Sequence, residues 1–517
     1  MRTRAIAALA VITPLLLGAC AANVPVTAER SDQIVFDAPS VPQPTEPDPD
    51  ADPGTTEPDA DPRTTDPGKT TPGPSIDPTV VDTTAIDFGP NKTPHDYDDF
   101  LLAVMTDLDA WWTEQYPDLY GASFESLSGG VYAAYPARPD DLPGCGEPRT
   151  TYDEVQQFVA FYCGDGDFII YDDGDDGMLA QLAAQYGPGT IGIVFAHEFG
   201  HAIQTRAGEL NQNLPTIFTE QQADCFAGAW AARVSRGESK TLSFSDADVR
   251  SGLIAMTKVS DPVGVDQFVE GGHGSAFDRV GAFQVGFTDG LSRCAELLDS
   301  PLPLSPNEFT RLDVGNGGDA PLTDDADGLL NFIPEDLNLY WNVDVASATD
   351  SMDDITLVGS TSSDEVECDD PAGAFELGAV YCASSHTVYL NEPAAQEIYD
   401  ALGDFSVGYL IGTQWSEAVQ QALGSDLEGE DRALMNDCLT GAWVKTTIRL
   451  EDESLPLPRD PAREVSVSAG DLDEAIQTII GVSDESSDDD ERGGLFEKIG
   501  AFREGVVEGL DACLADL

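Results

Sequence analysis

GIVFAHEFGHAIQ, residues 192–204, sets two histidines and a glutamate among apolar residues on every side. The apolar positions fall at helical spacing, which predicts a helix packed into a core. A helix turns about 100° per residue, so His197 and His201, four apart, share one face. A partner stretch, GYLIGTQWSEAVQ at residues 408–420, keeps the apolar positions and has neither histidine.

The pairing extends outward in both directions, and it decides the architecture. FYCGDGDFIIYD around Cys163 matches VYCASSHTVYLN around Cys382. DCFAGAW at Asp224–Trp230 matches DCLTGAW at Asp437–Trp443, and GAFQVGFTDGLSRC, ending at Cys294, matches GAFREGVVEGLDAC, ending at Cys513. Four matches in one order predict a mainly helical α+β domain duplicated in tandem, at 89–300 and 329–517, with a Pro-, Asp- and Gly-rich linker at 301–328. Each copy has four cysteines in equivalent places. The simplest connectivity stays within a copy: Cys145–Cys163 and Cys225–Cys294, then Cys368–Cys382 and Cys438–Cys513. Eight paired cysteines suit an oxidising compartment. No C-x-x-C pair exists, which argues against these thiols as metal ligands.

The first copy carries His197-Glu198-Phe199-Gly200-His201, the H-E-x-x-H pattern. Two imidazoles on one helix face can reach a single zinc ion. Glu198 beside them can hold the water that zinc polarises, take its proton as general base and later return it to the leaving amine. Buried histidines need partners, and a metal supplies them; the alternative is an ordinary helix with histidines at the edge of a core. A catalytic zinc wants a third protein ligand and an open position. Glu220, 19 residues past His201, can be that ligand, or else a capping or surface glutamate. Asp224, one turn on, can accept a hydrogen bond from a ligand histidine and orient it, or be merely structural. His273 and Arg279 offer charge to an oxyanion. Equally, His273-Gly274-Ser275 reads as a turn and helix cap, and Arg279 as half of an ion pair.

HEFGHAIQ, EQQADCFAGAW and HGSAFDR (His273–Arg279), with FYC…YD before them, resemble the bacterial neutral zinc metallopeptidases over roughly Gly144–Cys294. The resemblance implies a zincin-like domain of gluzincin type, with His197, His201 and Glu220 on one zinc, and it supports the Cys225–Cys294 bridge. Ala202 stands where that family usually has a further histidine. The implied activity is a zinc-dependent endopeptidase acting on a peptide or protein substrate. A zinc hydrolase of another amide, as in cell wall, uses the same site. The other class is a non-enzymatic, tethered binding protein with a structural or vestigial zinc site.

The second copy lacks this chemistry. Thr413, Gln414, Glu417 and Ala433 stand at the positions of His197, Glu198, His201 and Glu220, while Asp437 and Cys438 persist. It is expected to keep the fold as a degenerate, non-catalytic domain without zinc; His386 is expected to be structural or exposed.

The remaining sequence concerns place. Arg2 and Arg4 precede an apolar run, Ala5–Leu17, that ends in Leu17-Gly18-Ala19-Cys20. The run is short for a membrane span and fits a signal peptide. The small residues before Cys20 look like a bacterial lipobox, which implies cleavage after residue 19, lipid on Cys20 and anchorage to the outer face of the cell membrane. Gln43–Ser75 has no Val, Leu, Ile, Met or aromatic residue. It cannot bury a core, so residues 20–88 are expected to be an extended tether. The net charge of -69 across 517 residues repels nucleic acid, and no such partner is expected.

Overall fold

The computed structural model describes residues 74–516 apart from 139–141, 147, 212–213, 270, 306, 308–318, 327, 345–351, 369–374, 449–467 and 483–493. The expected signal peptide, the expected lipid site at Cys20 and the expected tether up to residue 73 lie outside the described residues. Two compact units emerge, from Ile76 to Thr310 and from Arg311 onward. Each is mainly helical with a small three-stranded sheet, and so α+β.

The two units repeat one plan. In the first, Gly130–Ala134 runs parallel to Phe168–Asp172, which pairs antiparallel with Ala160–Cys163. In the second, Thr356–Ser360, Thr387–Asn391 and Ala379–Cys382 take the same three places. Phe168–Asp172 is central and buried throughout, which explains its unbroken FIIYD run. The hairpin turn needs a left-handed residue, supplied by Asp167 (φ 52°) and by His386 (φ 51°). Each meets a tyrosine from the edge strand: Tyr162 Oη donates to Asp167 at 3.0 Å, and Tyr381 Oη lies 2.9 Å from His386 Nδ1. His386 also reaches Asp353 O at 2.8 Å, so its part is structural.

The glycines of the repeated motifs mark a helix crossing. A Cβ on Gly228 would stand 1.9 Å from Phe283 O, and one on Gly286 1.8 Å from Cys225 O. Gly441 and Gly505 show the same approach, to Phe502 O at 2.1 Å and Cys438 O at 2.0 Å. Helices Thr216–Ser235 and Ala276–Asp289 therefore touch backbone to backbone, as do Gly429–Thr447 and Leu495–Val507. The expected bridges Cys225–Cys294 and Cys438–Cys513 close beside these crossings, and Cys145–Cys163 and Cys368–Cys382 close onto the edge strands. The motif tryptophans are anchored alike: Trp230 Nε1 donates to Asp107 at 2.9 Å, Trp443 Nε1 to Asp336 at 2.7 Å.

The boundaries differ from expectation at both ends of the first unit. Ordered chain begins before residue 89: Ile86 is buried, and Asp87 N donates to Val131 O at 2.8 Å. Asp87 extends the sheet beside Tyr132 and is clamped by Arg138, with Nη2 at 2.9 Å from Oδ2. Such edge pairing is made by backbone, which composition does not reveal. The span 301–328 is likewise not all linker, since Ser305 N donates to Asp278 at 2.9 Å and Asn307 is buried. Among the described residues, no helix is long and apolar enough to cross a membrane.

Candidate metal centre

The helix Gly189–Ala207 runs through the core of the first unit and is buried along most of its length. It stops at Gly208, whose φ of 77° suits a left-handed C-cap. A Cβ on Gly200, between the two histidines, would meet Ala223 Cα at 3.0 Å. That close approach lays the helix Thr216–Ser235 against the histidine face and brings Glu220 to it.

His197 Nε2 lies 3.1 Å from His201 Nε2 and 3.1 Å from Glu220 Oε2; His201 Nε2 lies 3.4 Å from Glu220 Oε1. Ligand atoms of all three fall within 4.8 Å of one another, so the group can hold a metal ion. The outer nitrogens are already committed. His197 Nδ1 sits 2.6 Å from Asp224 Oδ1, and His201 Nδ1 sits 2.9 Å from Gln204 Oε1. Gln204 Nε2 donates to Thr219 O at 2.6 Å, which fixes its amide so that Oε1 faces the ring. Both Nδ1 atoms are thus donors, and both Nε2 lone pairs point at Glu220. Glu220 Oε2 is buried and accepts no hydrogen bond. With both rings neutral, three acceptors converge with no donor among them, an arrangement that a shared proton or a metal cation resolves.

The electrostatics favour a positive charge here, as a proton or as a metal ion. Burial opposes charge on His197, yet Asp224 and then Glu220 outweigh it and raise its pKa to about 10. Burial likewise opposes ionisation of Glu220, yet His201 and His273 hold it well below the usual carboxylate range. Asp224 is held ionised by Arg279, whose Nε and Nη2 grip it at 2.9 and 2.8 Å. Arg279 is buried behind His197, with Nη1 on Val259 O at 2.6 Å, so of its two expected roles the ion pair is the one the structure shows.

Glu198 lies on the same helix, buried, and burial pushes its carboxyl up. Its Oε2 accepts Tyr162 N–H from the edge strand at 2.8 Å. His273 is the most open of these residues, its side chain 44% exposed, with Nδ1 3.6 Å from Asp261 Oδ1. The turn-and-cap expectation also holds, since Ser275 Oγ accepts Asp278 N–H at 3.1 Å. Gln204 and Asp261 were not anticipated. Gln204 had a signal, being one turn past His201 and repeated as Gln420; Asp261 had none.

In the second unit the same places are filled differently. Gln414 Oε1 accepts Tyr381 N–H at 2.9 Å, as Glu198 does from Tyr162. Glu417, at the His201 position, is paired with Arg432, whose Nε is 2.8 Å away. Asp437 is held by Lys498 at 3.4 Å and by Tyr409 Oη, where Asp224 has Arg279 and His197. Thr413, Gln414, Ala433 and Asp437 line a cleft of about 170 Å³.

No family model matches this chain, and no solved structure matches it. It is similar to an uncharacterized protein of Mycobacterium bovis and to uncharacterized proteins of two Mycobacterium tuberculosis strains. Each is 29% identical over an alignment of 213 residues, covering 37% of this chain and 67% of the relative.

Proposed function

We propose that the first unit is a zincin-like, zinc-dependent endopeptidase, that the second is its degenerate copy, and that a lipid on Cys20 holds the chain at the cell surface. One observation carries the enzymatic reading: two histidine lone pairs and an ionised glutamate converge while every outer nitrogen is engaged. Two imidazoles and one carboxylate fit the ligand set of a catalytic zinc and leave a position open.

His197, His201 and Glu220 would hold the zinc, which when bound would polarise a water and lower its pKa towards about 7. Glu198 keeps Oε2 on Tyr162 N–H, leaving Oε1 to take a proton from water as the water attacks the peptide carbonyl. The burial that raises its pKa makes it a better base near neutrality. Glu198 then passes the proton to the departing nitrogen. His273, steadied by Asp261, donates to the carbonyl oxygen as that atom gains charge. Asp224 and Gln204 keep the two rings in the tautomer that binds metal.

The test is Glu198→Gln. It should retain one zinc per chain and lose chelator-sensitive hydrolysis of a peptide library by roughly 10²–10⁴-fold. Undiminished hydrolysis would remove Glu198 from the mechanism. A second reading, a binding protein with a structural zinc, draws on the Tyr162 contact that Gln414 reproduces in the second unit. Zinc bound stoichiometrically by wild-type protein that cleaves no peptide would favour it.

A further inference from the structure

The second unit contains a carboxylate cluster far in sequence from the motif residues. Asp319, Asp404 and Glu474 each place an oxygen within 4.8 Å of the others. Asp404 opens the helix Asp404–Leu423, Glu474 lies in the first turn of Asp471–Val482, and Asp319 is on the segment leading into the unit. Asp404 is 6% exposed. Its Oδ2 accepts Ala320 N–H at 2.7 Å, while its Oδ1 is sealed from water and accepts nothing, left over for the cluster. Glu474 Oε2 accepts Phe405 N–H at 2.8 Å. Among the described residues, no Lys, Arg or His pairs with any of the three.

The repeat shows that the cluster is particular to this unit. Ser245 and Asp248 in the first unit form the same start-of-helix pair as Ser468 and Asp471: each serine N–H donates to its aspartate at 2.8 Å. That register sets Ser251 opposite Glu474. The register of Gly192 with Gly408 sets Pro188 opposite Asp404. The first unit thus builds the same corner with no acid at either position, so the fold does not require them.

We propose that Asp319, Asp404 and Glu474 form a calcium site that ties the entry segment to the helix pair of the second unit. Like charges this close in a partly buried site repel strongly unless a cation lies among them. All donors are oxygens, which suit a hard cation and not zinc. Calcium binds oxygens at about 2.3–2.6 Å, so donors up to about 5 Å apart can share it, whereas magnesium needs a tighter shell. The rival occupant is a shared proton, since burial and mutual repulsion push Asp404 and Glu474 up.

The site is tested on the full chain after chelation, independently of any peptidase activity. Tyr399 Oη donates to Ala320 O at 3.0 Å, so its ring stands beside the cluster and can sensitise terbium emission. Terbium should give one saturable signal that calcium displaces, and calcium should raise the unfolding temperature. Both effects should vanish in Glu474→Gln and in Asp319→Asn, the latter outside the helices and so a guard against misfolding, and persist in His197→Ala. Uptake that never saturates, or a saturable site that survives both substitutions, overturns the proposal and leaves the cluster to protons.

Discussion

His197 is gripped from two sides, by Asp224 on one nitrogen and by the ligand group on the other. Asp224→Asn keeps the shape but weakens the orienting bond. Zinc affinity should fall roughly 10–100-fold in a competitive chelator titration, and activity should return when zinc is supplied in excess. Arg279 would meanwhile lose its counter-charge in a buried place, so the variant should also unfold at lower temperature. Glu209 makes a different prediction. Burial raises its pKa from 4.5 to about 7, against the smaller opposing pull of the Gln222 and Tyr120 side chains beside it. The folded form therefore holds its proton more tightly than the unfolded form. Its contribution is full below about pH 4.5 and is lost as pH rises through about 7. Glu209→Gln should flatten that part of the stability curve measured by denaturant titration; an unchanged slope would show that the carboxyl is ionised in the fold. Residues of the H-E-x-x-H pattern were legible because spacing on a helix is a local rule; Glu220, on another helix, rested on the need for a third ligand and on the resemblance. Asp261 was not, because it depends on where a loop returns.

At the scale of elements, the repeated glycines carry more than the repeated apolar residues. Gly228→Ala drives a methyl into Phe283 O, a backbone atom with no freedom to step aside. The helix pair must separate, at a cost of about 1–3 kcal/mol or more, seen as a lowered unfolding temperature. Because Glu220 rides on the same helix, zinc affinity should drop too. Gly441→Ala makes the same clash in the second unit and should lower stability while leaving zinc affinity unchanged. Sequence pairing exposed all four disulfides, since duplicated spacing reports duplicated contacts, but not the crossings beside them. It could not locate the sheet's extra edge at Asp87, or the packing of Ser305, because those contacts run through backbone groups common to every residue type.

For the whole molecule, 94 acidic against 25 basic side chains make self-repulsion a general term. Added salt shortens its range, from about 10 Å at 0.1 M to about 3 Å at 1 M. The unfolding temperature should rise with sodium chloride across that range in calorimetry, and a flat response would show that the charges are already neutralised in place.

The contact from the edge-strand amide to the helix has a practical consequence. Tyr162 and Tyr381 each offer an N–H, and one unit answers with a carboxylate, the other with a carboxamide of equal size. The latch is indifferent to which it receives; proton transfer is not. On the proposed function, the second unit thus already carries the amide that should stop catalysis, on a scaffold that keeps the contact. A chain carrying the amide in both halves should therefore be a sound decoy, able to capture a polypeptide and hold it uncut long enough to be identified.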